Sequence, residues 1–127
     1  MIIKKQSKSR VIKRLDALLS EIVRSRGKCE AEGEVGMKCS HQLQAAHIFS
    51  RSHKGTRWDL RNGLCLCAGH HLFWAHKEPY EFAKFCLKRL GAATMDDLQI
   101  KARQITKLSV HDMLNLEDEL KRIKKGV

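Results

Sequence analysis

The stretch Asn62-Gly63-Leu64-Cys65-Leu66-Cys67-Ala68-Gly69-His70-His71 reads as a turn, a short apolar strand and the start of a helix. Asn-Gly is a hairpin-type turn signal, and Leu64 to Leu66 suits a second strand. A helix is expected to begin near Ala68 and run through Trp74. Working back along the chain, Leu43-Gln44-Ala45-Ala46-His47-Ile48-Phe49 is the candidate partner strand. A strand, a strand and a helix would then bring His47, Asn62 and His71 to one small surface.

Further out, the remaining segments read as helices. Val11, Ile12, Leu15, Leu18, Leu19, Ile22 and Val23 recur at helical spacing, which predicts an amphipathic helix over residues 10–26. Ser9 is its expected N-cap, and Gly27 suits the position just past its end. Residues 1–28 carry nine Lys/Arg against Asp16 and Glu21, and the resulting basic face reads as solvated. Residues 28–40, with Gly33, Gly36 and three glutamates, read as a loop, and residues 50–59 as a polar loop. Pro79 fits the first position of a helix that Gly91 closes. Thr94 is expected to cap the next helix, with Asp97 completing a capping box. Val110, Met113, Leu114, Leu116, Leu120 and Ile123 mark a last helix, whose terminal Lys121, Arg122, Lys124 and Lys125 complement its negative end. The expected fold class is α+β and mostly helical. At 127 residues the chain is expected to form one domain, 1–127, with a basic N-terminal helix (1–27), a core (28–76) and C-terminal helices (77–127).

Charge and cysteine usage narrow the function. A formal charge of +11, from 25 Lys+Arg against 14 Asp+Glu, favours a polyanionic partner. Nucleic acid is the leading candidate and an anionic membrane surface the bland one; no stretch approaches the ~20 apolar residues of a spanning helix. Met1-Ile2-Ile3-Lys4-Lys5 lacks the apolar region of a signal peptide, which predicts a cytoplasmic location. Five cysteines in a reducing compartment, alongside seven histidines, read as metal ligands before disulfides. Cys67-Ala68-Gly69-His70 gives one pair of ligands and Cys29 with Cys39 the other, so a structural zinc site on Cys29, Cys39, Cys67 and His70 is expected. Cys65 is the rival for Cys67, and His41 the substitute for His70. Cys86, among Phe82, Phe85 and Leu87, reads as a buried thiol.

Phosphodiester hydrolysis needs a base for water and a cation for the charge building on phosphate. A neutral histidine suits the first task, and a second histidine can hold the cation. Here His47, Asn62, Cys67-x-x-His70 and His71 together resemble the pattern of HNH endonucleases of the ββα-metal type, over roughly residues 25–76. The segment 43–51, followed by Thr56-Arg57-Trp58-Asp59, is further similar to phage recombination members of the Rap/NinG group.

The resemblance implies a ββα-metal core flanked by an N-terminal helix and C-terminal helices. It implies His47 as general base, Asn62 as its positioner and His71 as ligand to one Mg²⁺ or Mn²⁺, with 5′-phosphate and 3′-hydroxyl products from DNA. Ala46 departs from the pattern, because that position commonly holds an Asp or His that helps bind the metal. A nearby group such as Asp59 would then be borrowed. The long Cys29–Cys39 loop is a second departure. Arg51, Lys54, Arg57 and Arg61 flank the centre and are expected to contact DNA, with Arg51 and Arg57 best suited to clamp phosphate. Trp58 and Trp74 read as core residues rather than base-stacking ones. The alternative function is a zinc-stabilised DNA-binding module whose nuclease centre has decayed, and the chain is expected to be a monomer or homodimer. A zinc deaminase is excluded, since no His-x-Glu precedes the cysteine pair.

Overall fold

The computed structural model describes residues 7–127; the Met1–Lys5 segment read above for a leader lies outside the described residues. The first helix, α1 (Lys8–Arg24), begins two residues earlier than the spacing predicts. Its cap is Ser7, not Ser9, and the Ser7 hydroxyl accepts from the Arg10 backbone N–H at 3.3 Å. It ends at Arg24, where the Ser25 hydroxyl donates to the Ile22 carbonyl, and Gly27 then turns the chain at φ +79°. The buried stripe is Val11, Leu15, Leu18, Leu19, Ile22 and Val23. It packs against the last helix, α5 (Val110–Lys125), and against the sheet. Ser109 and Asp112 close a capping box at the start of α5. Arg14 grips the buried Glu117 of α5 through Nε (2.6 Å) and Nη2 (3.1 Å).

Strands β1 (Leu43–His47) and β2 (Gly63–Cys67) pair antiparallel, in a register running from Leu43 opposite Cys67 to His47 opposite Gly63. Every residue of β2 is buried, because α1 covers the sheet on one side and the segments after β2 fill the other. A strand buried on both faces reads as a continuous apolar run, which is what Gly-Leu-Cys-Leu-Cys is. The expected Asn62-Gly63 hairpin turn does not form. Residues 48–62 join the strands through the short helix α2 (Lys54–Arg57) and a 3₁₀ turn at Leu60–Asn62, and Gly63 is extended at φ −106°. Gly63 serves close packing instead: a Cβ there would lie 2.8 Å from Val23 Cγ2.

Past β2 the chain enters a π-helix, His70–Ala75, then α3 (Pro79–Leu90) and α4 (Ala92–Arg103). Pro79 opens α3 as expected. The Thr94–Asp97 box does not form. Gly91, at φ +87°, joins α3 directly to α4, so Thr94 lies inside the first turn and Asp97 pairs with Arg61 instead. Two apolar clusters result. Trp58 belongs to the one under α1 and α5, and Trp74 to the one containing Cys29, Ala46, Leu64, Leu66 and Cys86. No described helix is long and apolar enough to cross a membrane.

Candidate active site and zinc centre

The end of β2, the turn after it and the 29–39 loop place Cys29, Cys39, Cys67 and His70 together, with their ligand atoms all within 4.8 Å of one another. Nδ1 of His70 lies 3.7 Å from Cys29 Sγ, 3.7 Å from Cys39 Sγ and 3.1 Å from Cys67 Sγ. Tetrahedral zinc with ordinary Zn–S and Zn–N bonds sets such separations at about 3.6 Å. Nε2 of His70 faces the Glu34 carbonyl at 3.4 Å, so the outer nitrogen donates and Nδ1 keeps its lone pair inward. The cluster fits a structural zinc site, as the spacing predicts. Its thiols are already differentiated. Burial raises the Cys67 thiol, but the backbone N–H of His70 and the Ser40 contact oppose it and hold Cys67 below its ordinary value. Burial and the crowding thiols of Cys29 and Cys67 push Cys39 up to about 12. Cys65 stays outside the cluster as a core thiol, and Cys86 is fully buried.

His47 and His71 line one cleft, floored by α1 and walled by the π-helix; Asp16, Arg51 and His76 line it too. Its volume is about 640 Å³. His47 ends β1, and its Nε2 lies 3.2 Å from the Arg57 carbonyl. A carbonyl only accepts, so Nε2 carries the proton and Nδ1 is the basic nitrogen. Burial lowers the pKa of His47 from its ordinary value, partly offset by the Arg57 bond. His71 Nδ1 lies 2.8 Å from Gln44 Oε1, which orients the ring and leaves Nε2 with a lone pair. Burial, and then the neighbouring His76 and His47, lower the pKa of His71 as well.

The Asn62 amide hydrogen-bonds to neither imidazole. Fully buried, it clamps the backbone just after His47: Phe49 N–H donates to Oδ1 at 2.8 Å, and Nδ2 donates to the Phe49 carbonyl at 3.0 Å. The structure therefore brings the two histidines to a common opening and sets the amide behind it, holding the loop.

The four flanking cations separate into different roles. Arg51 is exposed on the cleft. Arg57 is held by both oxygens of Asp16 (Nε 3.0 Å, Nη2 2.7 Å) and lies over the Trp58 ring. Arg61 bridges Asp59 and Asp97, and Lys54 lines a separate depression beside α4 and α5. Asp59 is not available to the cleft. Although burial opposes ionisation, Arg61 and Lys101 hold it down to about 2. Sequence reading missed Asp16, Gln44 and His76. Asp16 is 41 residues from Arg57, and no local spacing announces such a pair. His76 sits five residues after His71, outside any helical i, i+4 pattern.

Residues 26–77 match the family model for the HNH endonuclease. The family relation lies in this central segment, which holds both the zinc cluster and the cleft histidines. No curated protein and no solved structure matches the chain.

Proposed function

We propose that the HNH segment makes this protein a metal-dependent DNA endonuclease, acting in the cytoplasm and leaving 5′-phosphate and 3′-hydroxyl ends. The observation that carries the reading is the shared cleft. One imidazole there has its outer nitrogen committed to a carbonyl, and a second is oriented by an amide. Nδ1 of His47 takes a proton from the attacking water as the water oxygen bonds to phosphorus, the P–O3′ bond breaks, and the departing 3′-oxygen takes up a proton from solvent. Asn62 contributes indirectly by fixing the backbone that carries the base. Arg51, exposed on the rim, offers a fork for a phosphate oxygen.

A divalent cation held by His71 would neutralise charge on the phosphate and the leaving oxygen. The donor set fits such an ion through the lone pair that the Gln44 contact leaves on His71 Nε2. It does not include the position before the base, since Ala46 is buried and offers no ligand atom.

Zinc-loaded protein incubated with supercoiled plasmid and divalent ion tests the proposal. Wild type is expected to relax or linearise the plasmid, and His47→Ala to slow this by about 10²-fold or more with zinc content unchanged. Equal rates for the two proteins would sink the role of His47. Ala46 also favours a second reading, a DNA-binding module with a decayed centre. A salt-sensitive mobility shift without scission under any ion would select it.

A further inference from the structure

We infer that His71 and His76 form a two-imidazole metal site that takes a later first-row transition ion such as Co²⁺ or Ni²⁺ in preference to Mg²⁺. This deepens the proposed function by naming the ion's second protein ligand and its class, and it rests on the same cleft.

The argument begins with the backbone. In an α-helix, residues five apart point about 140° away from each other. Residues 70–75 form a π-helix instead, and the His76 N–H bonds back to the His71 carbonyl at 3.3 Å. One extra residue in the turn brings position i+5 over position i. The two rings consequently meet with centroids 4.6 Å apart and planes at 72°. An ion roughly 2.1 Å from one nitrogen of each ring, with its two bonds near a right angle, sets the centroids about 4.6 Å apart. Both side chains line the cleft that also holds His47.

The ion's class follows from what else the cleft offers. Its one lining carboxylate, Asp16, accepts from both Arg57 nitrogens and from Trp58 Nε1 at 2.8 Å. With that carboxylate engaged, the strong protein donors left for an ion are imidazole nitrogens, beside the neutral Ser20 and Ser50 hydroxyls, with water and phosphate oxygen to complete its shell. Mg²⁺ binds through oxygen and tolerates imidazole poorly, whereas later first-row ions prefer it. The π-turn supplies the second ligand that Ala46 does not.

Calorimetric titration of zinc-loaded protein with Co²⁺, and separately with Mg²⁺, tests the inference. Wild type is expected to bind one Co²⁺ beyond its zinc, and His76→Ala to weaken that site about tenfold or more. Mg²⁺ is expected to need a concentration at least about tenfold higher to displace the Co²⁺. If His76→Ala proves poorly folded by circular dichroism, proton NMR of the wild type decides: Co²⁺ should shift the imidazole resonances of both His71 and His76. Unchanged affinity in folded His76→Ala, a shift of only one ring, or displacement by equal Mg²⁺ would overturn the inference. Because the readout is binding, absence of strand scission would sink the nuclease reading alone. Scission with His76-independent ion binding would sink this one alone.

Discussion

His47 is poised by two opposed influences. Burial disfavours its charged form, while the Arg57 carbonyl favours protonated Nε2, and burial wins, so the folded pKa lies below the ordinary 6.5. In its proposed role His47 works only when neutral, so activity is expected to be lost as pH falls through that lowered pKa. The acid limb of kcat/KM should therefore sit below 6.5, measured with the ion saturating at each pH. A limb at or above 6.5 would show that the titrating base is another group. At the same scale, Asn62 shows how a residue can be found by its spacing and still have its contact left open. The resemblance implies that its amide positions His47, without saying through which atoms. Only the folded loop decides for the Phe49 backbone, because that choice depends on how residues 48–62 close over it.

Elements outside the HNH segment reach into its cleft. The carboxylate of Asp16, from α1, collects Arg57 Nε and Nη2 together with Trp58 Nε1, and Arg57 in turn presents the carbonyl that meets His47. Asp16→Ala should cost about 1–3 kcal/mol in denaturant unfolding, as expected for lost hydrogen bonds to a charged group. It should also lower kcat more than KM, since the base loses its support while phosphate contacts stay. A drop in stability with kcat intact would make Asp16 purely structural. The helices themselves were legible in the sequence because each buries an apolar stripe at helical spacing, as Val11 through Val23 do on α1. Three features were not. The π-helix after β2 shares its apolar pattern with an α-helix, so nothing in Leu72-Phe73-Trp74 distinguishes them. The Thr94 cap was overridden by Gly91, whose positive φ lets α3 and α4 meet with one residue between them. Asn62-Gly63 carried a turn signal, but the glycine answers to Val23, a neighbour 40 positions away by number.

Across the whole molecule, the formal charge of +11 overstates the cations available to a polyanion. Arg26 and Arg89 converge on Glu30, Arg57 is bound to Asp16, Arg61 spans Asp59 and Asp97, and Lys101 joins Asp59. These pairs tie the zinc segment to α1, α3 and α4, so they serve the fold before any ligand arrives. Arg51 differs, being exposed at the cleft that holds His47 and His71. Binding to duplex DNA should release about 0.9 counterion per phosphate neutralised, which the slope of log K against log salt reads directly. Arg51→Ala should reduce that slope by about 1 and weaken binding to all sequences alike. Arg61→Ala, which removes a cation already spent on two carboxylates, should leave the slope unchanged. Binding isotherms for the three proteins between low and physiological salt make the comparison. Equal slope losses for the two variants would mean that the Asp59–Arg61–Asp97 bridge opens on DNA, and that the internal ion pairs belong to the binding surface after all.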